Sequence, residues 1–396
     1  MTDVYWDPFL PELRDDPYPL WKRMRDEVPV WYNDRYDFYV LSRFSDIERA
    51  HREPATYSSA HGTSVETMTL SPQNTGLIIY LDPPKHTLLR RLVSRAFSPR
   101  RVGLLEERIR QVCTTLLDAQ LPASEFDFIQ DFAAILPPTI IASLLGIPDK
   151  DQERMRQVVD EMFHIDEDSV GMANERAMQA MFTLAEYLKE QFIERRTNPR
   201  DDVFTDLVGA EIDDGTGETR GLSDDELAEF GMLLFGAGTE TVARFLGWAA
   251  DLLEAYPDQR ASMVADPSLI PNAVEEILRI EPPSPVNGRW VTRDVEVHGV
   301  TIPAESKVIL LTGSAGRDER KYEAPDVLDI RRKVDLHLTF GYGIHFCLGA
   351  ALARMEGRIA LEEMFKRWPS WTVNRDDAQL LYTATVRGYQ RLPILV

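Results

Sequence analysis

The sequence predicts a mainly α-helical protein with a small β region in one domain; two observations point to the class and a third to the single domain. Apolar residues recur at helical spacing through most of residues 102–196 and through the proline-free run from residue 223 to Pro257. β-Branched and aromatic residues cluster near residues 30–41 and 291–312. No linker rich in Gly, Ser or Pro divides the 396 residues, so we expect one domain spanning residues 1–396.

Charge and cysteine content limit the classes of function. Lys and Arg number 44 and Asp and Glu 65, a formal net charge of −21, which argues against nucleic-acid binding as a main function. Cys113 and Cys347 are too few for a disulfide framework or a zinc site and fit a reducing compartment. The N-terminus lacks the basic and apolar regions of a signal peptide. We therefore expect a soluble cytoplasmic monomer with no membrane partner.

The first eighty residues combine short elements with one long loop. We expect a helix over residues 16–27, a hairpin with strands at 30–32 and 36–41, and a helix over 44–52. Residues 56–79 are irregular and rich in Ser, Thr and Gly. A loop of this length inside a compact domain is usually mobile or functional.

A basic helix and a helical region follow. The helix that opens at residues 82–84 carries His86 and Arg90 four residues apart and therefore on one face, which suits an anion. Other basic residues are close in sequence, so spacing alone favours a solvated basic face. Within the later helical region, the acidic segment 163–174 is predicted to connect two helices, and residues 211–221 form a polar linker.

A long internal helix is predicted to start at Ser223, because Ser223 and Glu226 have the spacing of a capping box. At a rise of ~1.5 Å per residue it could extend over about 50 Å. Residues 230–235 are apolar around much of the helix, so we expect it to be buried. Gly236 and Gly238 cost about 1 kcal/mol each relative to alanine, which indicates either close approach of a ligand, local opening, or helix packing through small residues.

Cys347 lies in a glycine-punctuated loop of the form Phe340-x-x-Gly343-x-His345-x-Cys347-x-Gly349, and a helix-like run follows at once. The positive N-terminal end of that helix would point toward the sulfur and favour the thiolate. The loop glycines, Gly341 included, allow tight turns and close backbone approach to something flat. The arrangement suits a thiolate metal ligand; the alternative is a buried structural cysteine.

This loop resembles the cysteine loop of the cytochrome P-450 family, whose haem iron takes a Cys thiolate as its proximal ligand. Three other motifs of that family occur in the required order, at His86/Arg90, Gly238 to Thr241, and Glu276/Arg279. The resemblance covers essentially the full chain. It implies the cytochrome P-450 fold, a triangular helical haem-thiolate domain, with haem b (iron protoporphyrin IX) as cofactor.

The resemblance also assigns roles to individual residues. Cys347 is the axial ligand, and Glu240 and Thr241 are the catalytic acid and alcohol, because O2 activation consumes protons that a hydroxyl and an acid can relay. Glu276 and Arg279 form a structural ion pair, which Arg331 or Arg332 completes. The implied cofactor-binding residues are His86, Arg90, Ala237, Gly238, Arg289, Phe340, Gly341, His345, Cys347 and Gly349.

The implied reaction inserts one atom of O2 into a hydrophobic small molecule, with a steroid, terpenoid or fatty acid as the expected substrate. The alternatives are a peroxide-driven peroxygenase and a non-catalytic haem-based ligand-binding protein. The candidate substrate-pocket residues are Ile78, Phe163, Val286, Asn287, Thr385 and Val386.

The electrons are expected from separate proteins. The chain has neither a second cysteine cluster nor a Rossmann glycine fingerprint, so we expect a ferredoxin and an NAD(P)H-dependent ferredoxin reductase as partners. Arg95, Arg101 and Arg354 are candidates for the docking face.

Overall fold

The computed structural model describes residues 4–10, 15–65, 67–73, 75–94, 97–162, 175–213, 219–382 and 385–396. Helices predominate in these ranges, and the predicted class is confirmed. The α-helices are α1 Tyr18–Glu27, α2 Phe44–Arg52, α3 Lys85–Val93, α4 Pro99–Gly103, α5 Glu106–Asp118, α6 Leu136–Leu145, α7 Asp149–Met162, α8 Glu175–Thr197, α9 Val203–Val208, α10 Asp224–Ala255, α11 Pro257–Ala265, α12 Ile270–Ile280, α13 Thr312–Ala315 and α14 Ala350–Arg367.

The strands of the described residues are short, with two to five residues each. They are β1 Val30–Asn33, β2 Phe38–Leu41, β3 Tyr57–Ser58, β4 Glu125–Asp127, β5 Glu211–Asp213, β6 Thr219–Gly221, β7 Asn287–Val291, β8 Val295–Val297, β9 Val300–Ile302, β10 Lys307–Leu310, β11 Thr372–Val373, β12 Gln379–Tyr382, β13 Arg387–Arg391 and β14 Pro393–Leu395.

The helix α10 runs through the centre of the helical region. Its start has the predicted capping box: the Glu226 N–H donates to the Ser223 hydroxyl over 3.2 Å, and the Ser223 N–H donates to the Glu226 carboxylate over 2.9 Å. Phe235, Leu246 and Ala249 of this helix are fully buried. It packs against α6, α8, α12 and α14, so its middle turns are fixed from several sides.

The largest sheet joins distant parts of the chain. Its strand order is β1-β2-β10-β7-β3. β2 and β10 are parallel, with Val40 opposite Ile309, and the other neighbouring pairs are antiparallel. Apolar clusters cover the sheet: Val40 and Ile309 pack with Trp21, and Leu41 packs with Phe44. The sheet thereby supports β7, which carries Arg289.

Three local predictions need correction. Residues 211–221 are not a plain linker but contain the hairpin β5-β6. The strand expected from residue 291 begins earlier, at Asn287, because pairing with β10 overrides the low strand propensity of Asn287 and Gly288. The irregular loop contains β3, which pairs with β7. The predicted connection at 163–174 lies outside the described residues.

Within the described residues, no helix combines the length and the apolar character needed to cross a membrane.

Candidate functional site

The cysteine loop is a series of tight turns ahead of α14. The Cys347 N–H donates to the Phe340 carbonyl over 2.8 Å, which closes the loop. Gly341 and Gly343 have φ values of 67° and 70°, a region in which an L side chain would be strained. A Cβ on Gly343 would also clash with the carbonyl of His51. These two glycines are therefore needed for the loop itself, whereas a Cβ on Gly349 would meet open space.

Burial and local positive charge shift the pKa of the Cys347 thiol in opposite directions. Burial raises its pKa, while the N–H groups of Gly349 and Ala350 and the guanidinium groups of Arg90 and Arg354 lower it. The predicted contribution of the helix start is present, but burial outweighs it and the net pKa is raised. A metal cation at the sulfur would supply the stabilisation that the thiolate lacks.

Basic side chains converge beside this loop. The rings of His86 and His345 lie 4.3 Å apart, and buried Arg289 donates to its own neighbour, the Gly288 carbonyl, over 2.6 Å. Burial and nearby positive charge lower the pKa of His86 to about 4 and that of His345 to about 2. Among the described residues, both ring nitrogens of His86 and Nε2 of His345 are buried without a hydrogen-bond partner. At these pKa values the two imidazoles are neutral near pH 7, and buried Arg289 is the cation of the cluster. Within the described residues Arg289 forms no ion pair, although the charge of Asp82 raises its pKa.

Sequence reasoning missed one member of this cluster. His51, in the last turn of α2, is 5% exposed, and its Nδ1 lies 3.5 Å from Nη2 of Arg289. Burial and, to a smaller extent, the charge of Arg289 lower its pKa to about 3. The sequence does not indicate a contact between residues 51 and 289, because they are far apart in the chain. They come close in the fold, where β3, which follows α2, pairs with β7.

Arg90 has a different geometry from His86, although both lie on α3. Its Nη2 donates to the Phe346 carbonyl over 2.5 Å, next to the cysteine. Burial lowers the pKa of Arg90, and Cys347 raises it. Arg90 therefore contributes positive charge at the sulfur side of the loop.

On α10, the predicted acid Glu240 and the predicted alcohol Thr241 have separate partners. The Thr241 hydroxyl donates to the Ala237 carbonyl over 2.9 Å, and Ala237 is exposed. Glu240 pairs with Arg244 over 2.5 Å, and Arg244 in turn donates to the Tyr389 carbonyl. The carboxylate of Glu240 is thus held by a buried cation on the same helix.

The glycine at position 238 has a packing explanation. A Cβ there would lie 2.9 Å from Cδ1 of Ile141 on α6, which is closer than real Cβ contacts. Close helix packing is therefore one of the alternatives left open by the sequence that the structure supports for this glycine.

The ion pair on α12 is fully buried. Glu276 receives two hydrogen bonds from Arg279, at 2.7 and 2.8 Å. The third member of this network is Arg332, whose Nε donates to Glu276 over 2.9 Å, and not Arg331. The Asp329 N–H donates to the same carboxylate over 3.0 Å. These bonds fix the coil that leads to the cysteine loop.

The candidate pocket residues do not share one environment. Ile78 and Val286 are buried in apolar clusters, Val286 with Trp21 and Ile309, which favours a packing role for Val286. Asn287 donates to the Thr312 hydroxyl over 3.4 Å. The Thr385 carbonyl accepts from Ser284, and Val386 is half-buried. Phe163 lies outside the described residues.

Two of the candidate docking cations are already paired. Arg101 pairs with Asp206 over 2.7 Å, and Arg354 pairs with Glu275 over 2.6 Å while its guanidinium covers the Phe340 ring at 4.5 Å. Arg95 lies outside the described residues. Arg354 therefore supports the cysteine loop from one side.

The residues around the loop fit a haem. A thiolate ligand needs a metal, and the unpartnered nitrogens of His86 and His345, together with Arg289, suit the carboxylates of the cofactor. The open space above Gly349 and the exposed Ala237 leave backbone surfaces accessible to a flat group.

Known proteins share these features along the whole chain. The family model described as Cytochrome P450 matches residues 20–385. A putative cytochrome P450 123 of Mycobacterium tuberculosis is 36% identical over 397 residues, which cover 100% of this chain and 97% of that protein. The erythromycin C-12 hydroxylase of Saccharopolyspora erythraea is 40% identical over 380 residues, covering 94% and 92%.

Solved structures agree with the sequence comparison. The open cytochrome P450 Eryk from S. erythraea has a TM-score of 0.88 and 38% identity, and 97% of each chain is covered. CYP109E1 from Bacillus megaterium in complex with corticosterone has a TM-score of 0.87 and 28% identity, with 97% of this chain and 99% of that chain covered. The chain therefore belongs to the cytochrome P450 family and is a haem-dependent monooxygenase.

Proposed function

We propose that this chain is a single-domain, monomeric haem b monooxygenase that oxidises a hydrophobic small molecule of steroid size. One observation carries the proposal: a half-buried cysteine just before α14 lies beside two imidazoles with unpartnered buried nitrogens and beside buried Arg289, which forms no ion pair within the described residues. The two cysteines of the chain, Cys113 and Cys347, form no disulfide, which suits a reducing, cytoplasmic compartment.

In this proposal the chain's own residues hold the cofactor on two sides. Cys347 would bind the haem iron through its sulfur, and His86, Arg90, Arg289 and His345 would hold the haem carboxylates. The bound haem supplies the activation of O2. Burial of Arg289 strengthens the attraction of its charge for a carboxylate, because the effective dielectric constant is low there.

Thr241 and Glu240 supply the proton path. The Thr241 hydroxyl donates a hydrogen bond to the Ala237 carbonyl, which fixes the position of its proton. Its oxygen can still accept a hydrogen bond from another donor. Glu240 is held near Arg244 by their ion pair. A carboxyl group at this place can take up a proton from water and pass it on.

The substrate class rests on the relatives and the pocket residues. Proteins similar to this one include a hydroxylase of erythromycin and a structure with bound corticosterone. We therefore rank steroids first among the expected substrates, ahead of terpenoids and fatty acids. A ferredoxin and its NAD(P)H-dependent reductase would deliver the electrons.

The test is a titration of the ferric protein with steroids, terpenoids, fatty acids and macrolactones, followed by the Soret band. We expect a saturable low-spin to high-spin shift with a steroid, and product formation only with ferredoxin, reductase and NAD(P)H present. The Cys347→Ser variant is the matched control, because it should lose the thiolate-type Soret band of the reduced CO complex.

Other outcomes would contradict parts of the proposal. Equal turnover with peroxide alone would indicate a peroxygenase. A spin shift without any product would indicate a haem-based ligand-binding protein. A wild-type chain that takes up no haem would overturn the proposed function itself.

A further inference from the structure

His51 stands apart from the expected cofactor-binding residues because it lies on α2, far from their motifs in the sequence. Its side chain is nine-tenths buried, and the cysteine loop is built over it. The position of a Cβ on Gly341 would be 4.0 Å from Cε1 of His51, and one on Gly343 would clash with the His51 carbonyl. The residue thus lies directly beneath the turns that hold Cys347.

The contacts of Arg289 show what His51 contributes. Within the described residues, the guanidinium of Arg289 has two acceptors, the Gly288 carbonyl at 2.6 Å and Nδ1 of His51 at 3.5 Å. Both are neutral. Asp82, the carboxylate that raises the pKa of Arg289, accepts instead from the Ser58 hydroxyl and from the Ser59 N–H at 3.0 Å.

A neutral acceptor has a specific consequence. A carboxylate in the place of His51 would hold the guanidinium equally well but would cancel its charge. An imidazole orients Arg289 and leaves the positive charge available for an external anion. When Nδ1 accepts, Nε2 carries the proton, and within the described part of the chain this buried atom has no partner.

We propose that His51 is a positioning residue for the haem carboxylates: it orients Arg289 through a neutral contact and so preserves the charge that binds the carboxylate. The inference rests on the proposed haem function and extends it to a residue outside the recognised motifs.

The experiment uses the haem-loaded protein and three variants. His51→Phe removes the acceptor but retains a flat ring, His51→Asn retains an acceptor, and His51→Asp retains an acceptor but adds negative charge. The matched control is His298→Phe, because His298 is more exposed and pairs with Asp46. The measurements are the rate of haem transfer to excess apomyoglobin and the ferric/ferrous midpoint potential.

We expect His51→Phe to release haem about tenfold faster, as loss of a hydrogen bond to a charged group implies. His51→Asn should stay close to the wild-type rate. His51→Asp should release haem faster and lower the midpoint potential, since negative charge favours the ferric state. The thiolate-type Soret band of the reduced CO complex should remain in all variants, because Cys347 is untouched.

Two results would overturn the inference. One is wild-type haem release and potential in both His51→Phe and His51→Asp; the other is equally fast release from His298→Phe. If His51→Phe does not fold, the comparison of His51→Asn with His51→Asp decides, because equal potentials in that pair contradict the charge argument. Haem uptake by the wild type separates this question from failure of the proposed function.

Discussion

At the scale of single residues, α10 contains two threonines in nearly the same local bond but in different surroundings. The Thr239 hydroxyl donates to the Phe235 carbonyl over 2.7 Å and is buried. The Thr241 hydroxyl donates to the Ala237 carbonyl over 2.9 Å and is only half-buried. Each hydroxyl donates to the carbonyl four residues earlier in the helix, so the two differ mainly in exposure. The difference assigns a packing role to Thr239 and a role in proton transfer to Thr241.

We expect Thr241→Ala to reduce product formation by roughly 10²-fold, the lower range for a lost proton-transfer group, while reductant consumption continues. Thr239→Ala should form product at close to the wild-type rate. The measurement is product and hydrogen peroxide formed per NAD(P)H consumed. Equal coupling in the two variants would contradict the assignment of Thr241.

Sequence reasoning reached part of the site and not the rest, for a physical reason. Cys347 and the glycines near it are recognisable because their spacing is local. Arg332 could not be chosen over Arg331, since the path of the coil after α12 decides which guanidinium reaches Glu276. His51 gave no signal because its role depends on contacts made by the folded sheet.

At the scale of elements, the start of α10 is stabilised by a charged capping arrangement. Arg220 donates to both carboxylate oxygens of Glu226, at 2.7 and 2.8 Å. These hydrogen bonds, offset in part by burial, lower the pKa of Glu226 from 4.5 to about 2. The same carboxylate accepts from the Ser223 N–H. The cap therefore joins the β5-β6 hairpin to the long helix.

We expect Ser223→Ala to lower the free energy of unfolding by about 1 kcal/mol, the usual cost of losing a helix cap. Ser262→Ala, in α11, is the control, because the Ser262 hydroxyl only donates to the Asp258 carbonyl within its own helix. Urea unfolding of the three proteins makes the comparison. Equal losses in both variants would show that the cap does not matter.

The same cap predicts a pH dependence. A carboxyl group with a lowered pKa in the folded state stabilises above its unfolded pKa, and this stabilisation is lost as the pH falls through the folded value. For Glu226 the window lies between pH 4.5 and about 2. The difference in unfolding free energy between wild type and Glu226→Gln should therefore become smaller as the pH falls from 4.5 to about 2. A constant difference would contradict the argument.

At the scale of the whole molecule, one buried cluster connects the first helix with the C-terminal strands. Arg387 donates to Glu281 over 2.5 Å and to the Tyr18 hydroxyl over 3.0 Å. Tyr18 donates to Glu281 as well, and Arg317 lies 3.4 Å from the centre of the Tyr18 ring. The Arg387 N–H donates to the Pro283 carbonyl. The cluster therefore fixes the two segments proposed to border the substrate.

We expect Tyr18→Phe to lower the free energy of unfolding by about 1–3 kcal/mol, because Glu281 and Arg387 each lose a buried hydrogen-bond partner. Tyr32→Phe is the matched control, since its hydroxyl bonds to Asp37 at the exposed surface. Denaturant unfolding measures the stability. A stability loss no larger than that of the control would contradict the importance of this cluster.

The parallel pairing of β2 with β10 also constrains how the protein is made. Val40 and Ile309 are about 270 residues apart, and a ribosome adding about 5–20 residues per second needs roughly 15–50 s to travel that distance. During that interval the β1-β2 hairpin has no neighbouring strand, and an isolated hairpin is at best marginally stable in water. The nascent chain therefore carries an unpaired apolar edge through most of its synthesis, which makes it a natural client for chaperones that act at the ribosome.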